Sequence, residues 1–189
     1  MEPMNGPEKT EKKEGFTLVE LMVVIGLIAI LTGIGWMSIL HYRALIRVNA
    51  SARDMAGHLR VARAQAVRNG QPVQVAFDGP DGAYTVVSNL TQTYYLQGGI
   101  KFGSCPGLPA VPGHPWPANP AGIDIPNGQT SVLFYGDGTA SVSGAAYIIP
   151  FEDLSTTGMR PDRQRAVDWE ATTGRIRDWQ FYANASQWR

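Results

Sequence analysis

The sequence predicts an α+β protein: one long N-terminal helix, transmembrane in its first half and amphipathic in its second, packed on a mostly antiparallel β-sheet domain. Three observations predict it. From Leu21 to Leu40 the chain runs 20 residues without a charge, enough at about 1.5 Å per residue to cross a hydrocarbon core. Beyond His41, apolar residues fall at Leu45, Val48, Ala52, Met55, Leu59, Ala62 and Ala66, alternating steps of three and four that mark one face of a helix. After Gly70 the period drops to two, the signature of half-buried strands.

The N-terminal part turns abruptly from polar to apolar. Residues 1–15 are short and hydrophilic and end in Lys12, Lys13, Glu14 and Gly15. Positive charge in front of an apolar span keeps that end cytoplasmic and sends residues beyond about 41 outward. A secretory signal peptide would carry a shorter apolar region followed by a small-x-small cleavage site, and none follows Leu40. Inside the apolar stretch that begins at Phe16 stands a single carboxylate, Glu20. An ionised side chain there costs several kcal/mol unless something neutralises it.

Gly15-Phe16-Thr17-Leu18-Val19-Glu20, followed by an apolar helix, resembles the class III signal of type IV pilins and type II secretion pseudopilins. The resemblance implies a pilin fold, cleavage between Gly15 and Phe16 by a prepilin peptidase, and N-methylation of Phe16. It implies a single-pass place in the bacterial inner membrane with the C-terminal domain in the periplasm, and later a place in a filament. The partners implied are other pilin or pseudopilin subunits, the peptidase, an inner-membrane assembly platform and the lipid bilayer. Cleavage would create a cation at Phe16, which Glu20 of a neighbouring subunit can pair with, fixing axial register. Where many pilins carry a kinking proline this chain has Met37, so bending would rest on Gly33 and Gly35, which equally suit close helix packing.

The domain organisation expected is a leader over 1–15, a membrane and filament-core helix over 16–40, an amphipathic helix over 41–70 and a β-rich domain over 71–189. Arg43, Arg47, Arg53, Arg60, Arg63 and Arg68 against Asp54 read as a solvated face of the second helix, and Asn69-Gly70 stops it. Val73, Val75 and Phe77, the turn Asp78-Gly79-Pro80-Asp81-Gly82 and the run Ala83–Val87 make a hairpin. A second is expected from Ser131–Tyr135 with Ala140–Gly144, the run Ala145–Phe151 close behind. A third joins Arg165–Glu170 to Arg175–Tyr182 through Thr172-Thr173-Gly174. The Pro/Gly-rich stretch 104–129 holds seven prolines, too many for a regular ladder. It reads as a long irregular surface loop, with His114 and Trp116 as its contact candidates.

Leu59–Arg68, with Phe134-x-x-Asp137-Gly138 and Gly174-Arg175, is similar to minor pseudopilins of the GspH/FimT type. That implies a minor subunit, near the filament tip, that helps start assembly. The chain has 189 residues, zero formal net charge and one cysteine, Cys105. These exclude an intramolecular disulfide and a Cys-rich metal site, and give no sign of a strongly basic nucleic-acid binder. His41, His58 and His114 lie in different elements without metal-ligand spacing, and Asp78, Asp81 and Asp137 precede glycines as in ordinary turns. No catalytic site, cofactor or metal is expected. One alternative concerns DNA. Alternation puts Arg175, Arg177, Trp179 and Phe181 on one strand face, and this Gly-Arg-x-Arg element resembles pilin-like proteins that bind DNA in natural transformation. Pairing of both arginines with Asp168, Glu170 or Asp178 is the competing reading.

Overall fold

The computed structural model describes residues 15–79, 82–115, 118–154 and 160–189, with the backbone alone for 34–41. The expected leader up to Glu14, the turn residues Pro80 and Asp81, the loop residue Trp116 and the side chain of Met37 lie outside the described residues. The chain divides into two compact units, Met1–His41 and Tyr42–Arg189.

The first unit holds the opening of helix α1 (Leu18–Asn69). Apart from Glu20 and Thr32 its described side chains are glycine or apolar and exposed: Leu18, Val19, Met22, Ile25, Ile28 and Leu31 each keep more than half of their surface. A helix apolar all round needs a nonaqueous or protein surround. Thr32 returns its hydroxyl to the Ile28 carbonyl at 2.7 Å. Among the described residues no helix is long and apolar enough to cross a membrane. The expected span Leu21–Leu40 continues into 34–41, whose side chains are not described.

In the second unit α1 buries the stripe read from its spacing. Val48, Met55, Leu59, Ala62 and Ala66 are fully buried, and Ala52 nearly so. Two sheets share this core. The first has β1 (Val73–Asp78), β2 (Ala83–Val87), β3 (Thr91–Tyr95) and β6 (Ser131–Phe134), in the order β3-β2-β1-β6. The second has β4 (Ile100–Phe102), β7 (Gly144–Pro150), β8 (Arg165–Trp169), β9 (Ile176–Tyr182) and β10 (Gln187–Trp188), in the order β10-β9-β8-β7-β4. β5 (Ile123–Asp124) also pairs with β7. Both sheets are antiparallel throughout the described residues.

The first and third expected hairpins form as β1–β2 and β8–β9. The second is short. The chain turns back after β6, the Tyr135 N–H donating to the Thr139 carbonyl at 3.0 Å and the Ser141 N–H to the Leu133 carbonyl at 2.8 Å around a single bridge between Phe134 and Ala140, while the other edge of β6 pairs with β1, Val75 opposite Val132. Burial distinguishes the two neighbours of β6: Val132 and Phe134 are fully buried in the core shared with Val73 and Val75, whereas Ser141, Val142 and Ser143 are exposed or half-buried. Asp137 closes the intervening turn, its Oδ1 accepting from the Thr139 N–H at 2.9 Å and hydroxyl at 2.7 Å.

The Pro-rich stretch is a structural layer rather than a surface excursion. Every residue of β7 is buried. Ala146 and Ile148 face the helix-side core, while Ala145, Tyr147 and Ile149 join Ala166, Phe181 and Trp188 beneath Cys105, Leu108 and Val111. Burial on both faces is why this strand reads as a continuous apolar run. Ile149→Val is therefore expected to cost about 1 kcal/mol in chemical denaturation, where a loose covering loop would make it neutral.

The helix arginines are not uniformly solvated. Arg47 Nη1 donates to the Gly98 carbonyl at 2.7 Å. Arg63 donates from Nε to the Gly138 carbonyl at 2.8 Å and from Nη2 to the Thr173 carbonyl at 2.9 Å. It thereby ties two turns, one beyond β6 and one between β8 and β9, to the helix.

Candidate functional site

Two groups of residues carry the functional expectations. At the N-terminal one, Gly15, Phe16 and Thr17 precede α1, and Phe16 is 81% exposed. Thr17 occupies the N-cap position: its Oγ1 accepts from the Glu20 backbone N–H at 3.2 Å, and its carbonyl accepts from the Leu21 N–H. Thr17-x-x-Glu20 has the spacing of a capping box, a signal present in the sequence that reading Glu20 as a lone charge passes over.

Glu20 lies in the first helical turn, where a carboxylate complements the positive end of the helix dipole. It is exposed among apolar neighbours and forms no ion pair among the described residues. The Gly15–Phe16 bond thus lies on an accessible, nonhelical segment. One turn further on stands a carboxylate with acceptor capacity to spare.

The second group lies on β8 and β9, where the two expected cations are separated. Arg175, just before β9, is exposed and reaches Glu170 at 3.8 Å. Arg177 turns its guanidinium to the fully buried Asp168, Nε donating to Oδ1 at 3.1 Å and Nη2 to Oδ2; Nη2 also donates to the Pro112 carbonyl at 3.4 Å. It lies 5.0 Å from the Trp179 ring centre. Phe181 is buried in the outer core. This geometry is the pairing reading, and it leaves neither arginine without a nearby carboxylate.

His114 is brought to the same place, its Nε2 3.4 Å from Asp168 Oδ2. Burial pushes the Asp168 carboxyl up, but the Arg177 and His114 side chains at its oxygens outweigh it and hold the group below the usual carboxylate range. The bond to Asp168 in turn raises Arg177. On β5, burial pushes Asp124 up to about 6, with His114 pulling the other way. The sequence reading names Asp168 as a partner but misses Asp124 and the junction with His114, because loop and strand meet through tertiary packing that leaves no local spacing. Among the described residues no group of His, Cys, Asp and Glu is arranged to hold a metal.

Residues 51–173 match the family described as type II transport protein GspH, and residues 11–36 match the prokaryotic N-terminal methylation motif. Two solved structures of the minor pseudopilin EpsH from the type II secretion system of Vibrio cholerae align with the chain. One is 17% identical with a TM-score of 0.46, covering 71% of this chain and 97% of that one. The other, a crystal structure, is 17% identical with a TM-score of 0.43, covering 70% and 92%. No curated protein matches the chain.

Proposed function

The chain belongs to the GspH family of type II transport proteins, and from that premise we propose that it is a processed, membrane-anchored minor pseudopilin that joins or starts a secretion pseudopilus or type IV pilus. The observation that carries this reading is Glu20, a carboxylate in an otherwise apolar, exposed helical turn that has no ionic partner among the described residues. Cleavage after Gly15 by a prepilin peptidase generates an amine on Phe16, two residues before the helix. A cation there opposes the helix dipole, and N-methylation leaves the charge in place. Glu20 of an adjoining subunit neutralises it, and the pair fixes one axial register among helices whose apolar surfaces would otherwise slide. The all-round apolar surface of α1 before residue 34 supports burial in a bilayer and then among other helices, with the second unit on the periplasmic side.

Mass spectrometry of the chain recovered from its own membrane is expected to give a mature N-terminus at methylated Phe16. Glu20→Ala is expected to be inserted and cleaved normally but to drop out of the filament fraction. Normal incorporation of that variant would sink the register pair. The DNA reading has no comparable support, since the cations on which it rests lie against Asp168 and Glu170.

A further inference from the structure

Away from both groups, α1, β8, β9 and the last residue surround a cavity of about 170 Å³ lined by Asn49, Arg53, Arg165, Trp179, Tyr182 and Arg189, among others. Arg165 is only 3% exposed. It donates from Nε to Asn49 Oδ1 at 2.5 Å, and from Nη1 to the carbonyls of Asp162 at 3.1 Å and Gln164 at 2.8 Å. All three acceptors are neutral. Its Nη2 is buried without a hydrogen-bond partner among the described residues, and no carboxylate among them forms an ion pair with it. The one acidic side chain on the wall, Asp178, is held by Arg60 at 3.2 Å.

A buried guanidinium without a counter-charge is an unbalanced arrangement, because desolvation is offset only when opposite charge or full hydrogen bonding replaces water. Burial pushes Arg165 down to about 10, and Arg53 pushes it the same way, while Tyr182 and Asp162 pull it back. Two more cations on the walls add to the imbalance rather than relieve it. Arg189 lies over the Tyr182 ring, 5.8 Å from its centre, and so stays at the cavity.

We propose that this cavity is an oxyanion site, taking a carboxylate or phosphate group onto Arg165 with Arg53 and Arg189 closing around it. With Nε and Nη1 of Arg165 already engaged, Nη2 is the donor it has left for such a group, and the guanidinium groups of Arg53 and Arg189 supply the further contacts. The same chemistry can come from a free small anion or from an acidic side chain of an adjoining subunit; only the second source rests on the filament reading above.

The test follows the Arg165 Nε–H resonance of the full chain in nonionic detergent, assigned with an Arg165→Lys variant. The probes are sodium acetate, sodium phosphate and the peptide acetyl-Gly-Glu-Gly-amide, each against sodium chloride at matched ionic strength. A saturable shift is expected, with a midpoint weakened about threefold by Arg53→Gln or Arg189→Gln and roughly tenfold by both. Tighter binding of the peptide than of acetate assigns the site to a subunit side chain, and equal or tighter binding of the free ions assigns it to small anions. A response no different from chloride, or an unchanged midpoint in the double variant, overturns the proposal. Failure of the Glu20 register pair would leave this titration unaffected, so the two ideas fail separately.

Discussion

Gly174→Val is expected to destabilise the second unit by about 4 kcal/mol or more, a large part of the roughly 5–15 kcal/mol typical of a folded domain. Gly174 has φ +58, a conformation that β-branched residues avoid. A Cβ there would overlap the Gly138 carbonyl oxygen and lie 2.7 Å from Arg63 Nε. The first is backbone and cannot move without opening the turn after β6; the second belongs to the guanidinium that holds both turns. Strain, overlap and the loss of Arg63's two hydrogen bonds therefore arrive together. Gly107→Ala isolates the first of these. Its φ is +80, yet nothing lies within 4 Å of an added Cβ, so it should cost only about 1 kcal/mol. Urea denaturation of both variants measures the difference, and similar midpoints would show that the close packing of these turns contributes little.

The same junction separates what a sequence discloses from what it hides. The helix stripe from Leu45 to Ala66 is legible because α-helical periodicity is local, and the β8–β9 hairpin because its turn residues adjoin its strands. Arg63 is legible as a charge, but its acceptors are backbone carbonyls at Gly138 and Thr173, and a carbonyl has no letter of its own. The pairing of β6 with β1 joins segments more than 50 residues apart, beyond any turn signal, whereas the return of the chain to Ala140 on the other edge of β6 follows from the turn residues between them. In the Pro-rich stretch the prolines forbid a long ladder. They say nothing about Cys105, Leu108 and Val111, which cover the outer face of β7 with side chains rather than backbone bonds. At the N-terminus Thr17's cap is written within four residues, a local signal that reading Glu20 as a lone charge passes over. At β9, alternation alone groups Arg175 with Arg177, and only tertiary placement separates an exposed cation from one held on buried Asp168.

Asp168→Asn should cost about 2 kcal/mol at neutral pH, because it replaces the fully buried carboxylate that accepts from the partly exposed Arg177 guanidinium with an uncharged amide. The wild-type pH profile should carry the same interaction. Asp168 is held below its unfolded value, so the unfolded chain binds the proton more readily. Its contribution is complete above the ordinary carboxylate pKa near about 4 and is lost as pH falls through the lower folded value. Asp124 has the opposite sign. Its folded value is raised to about 6 by burial, so it weakens the fold progressively as pH rises from about 4 to 6, and the loss then levels off. The two carboxylates separate in a comparison of melting temperature against pH. Asp168→Asn should flatten the acid limb below about pH 4, and Asp124→Asn should remove the decline between about pH 4 and 6. Arg177 and His114 both contact Asp168, from β9 and from the Pro-rich layer, so the acid limb reports attachment of that layer to the sheet. If Asp168→Asn left both the neutral stability and the acid limb unchanged, the buried pair would have no part in holding the layer down.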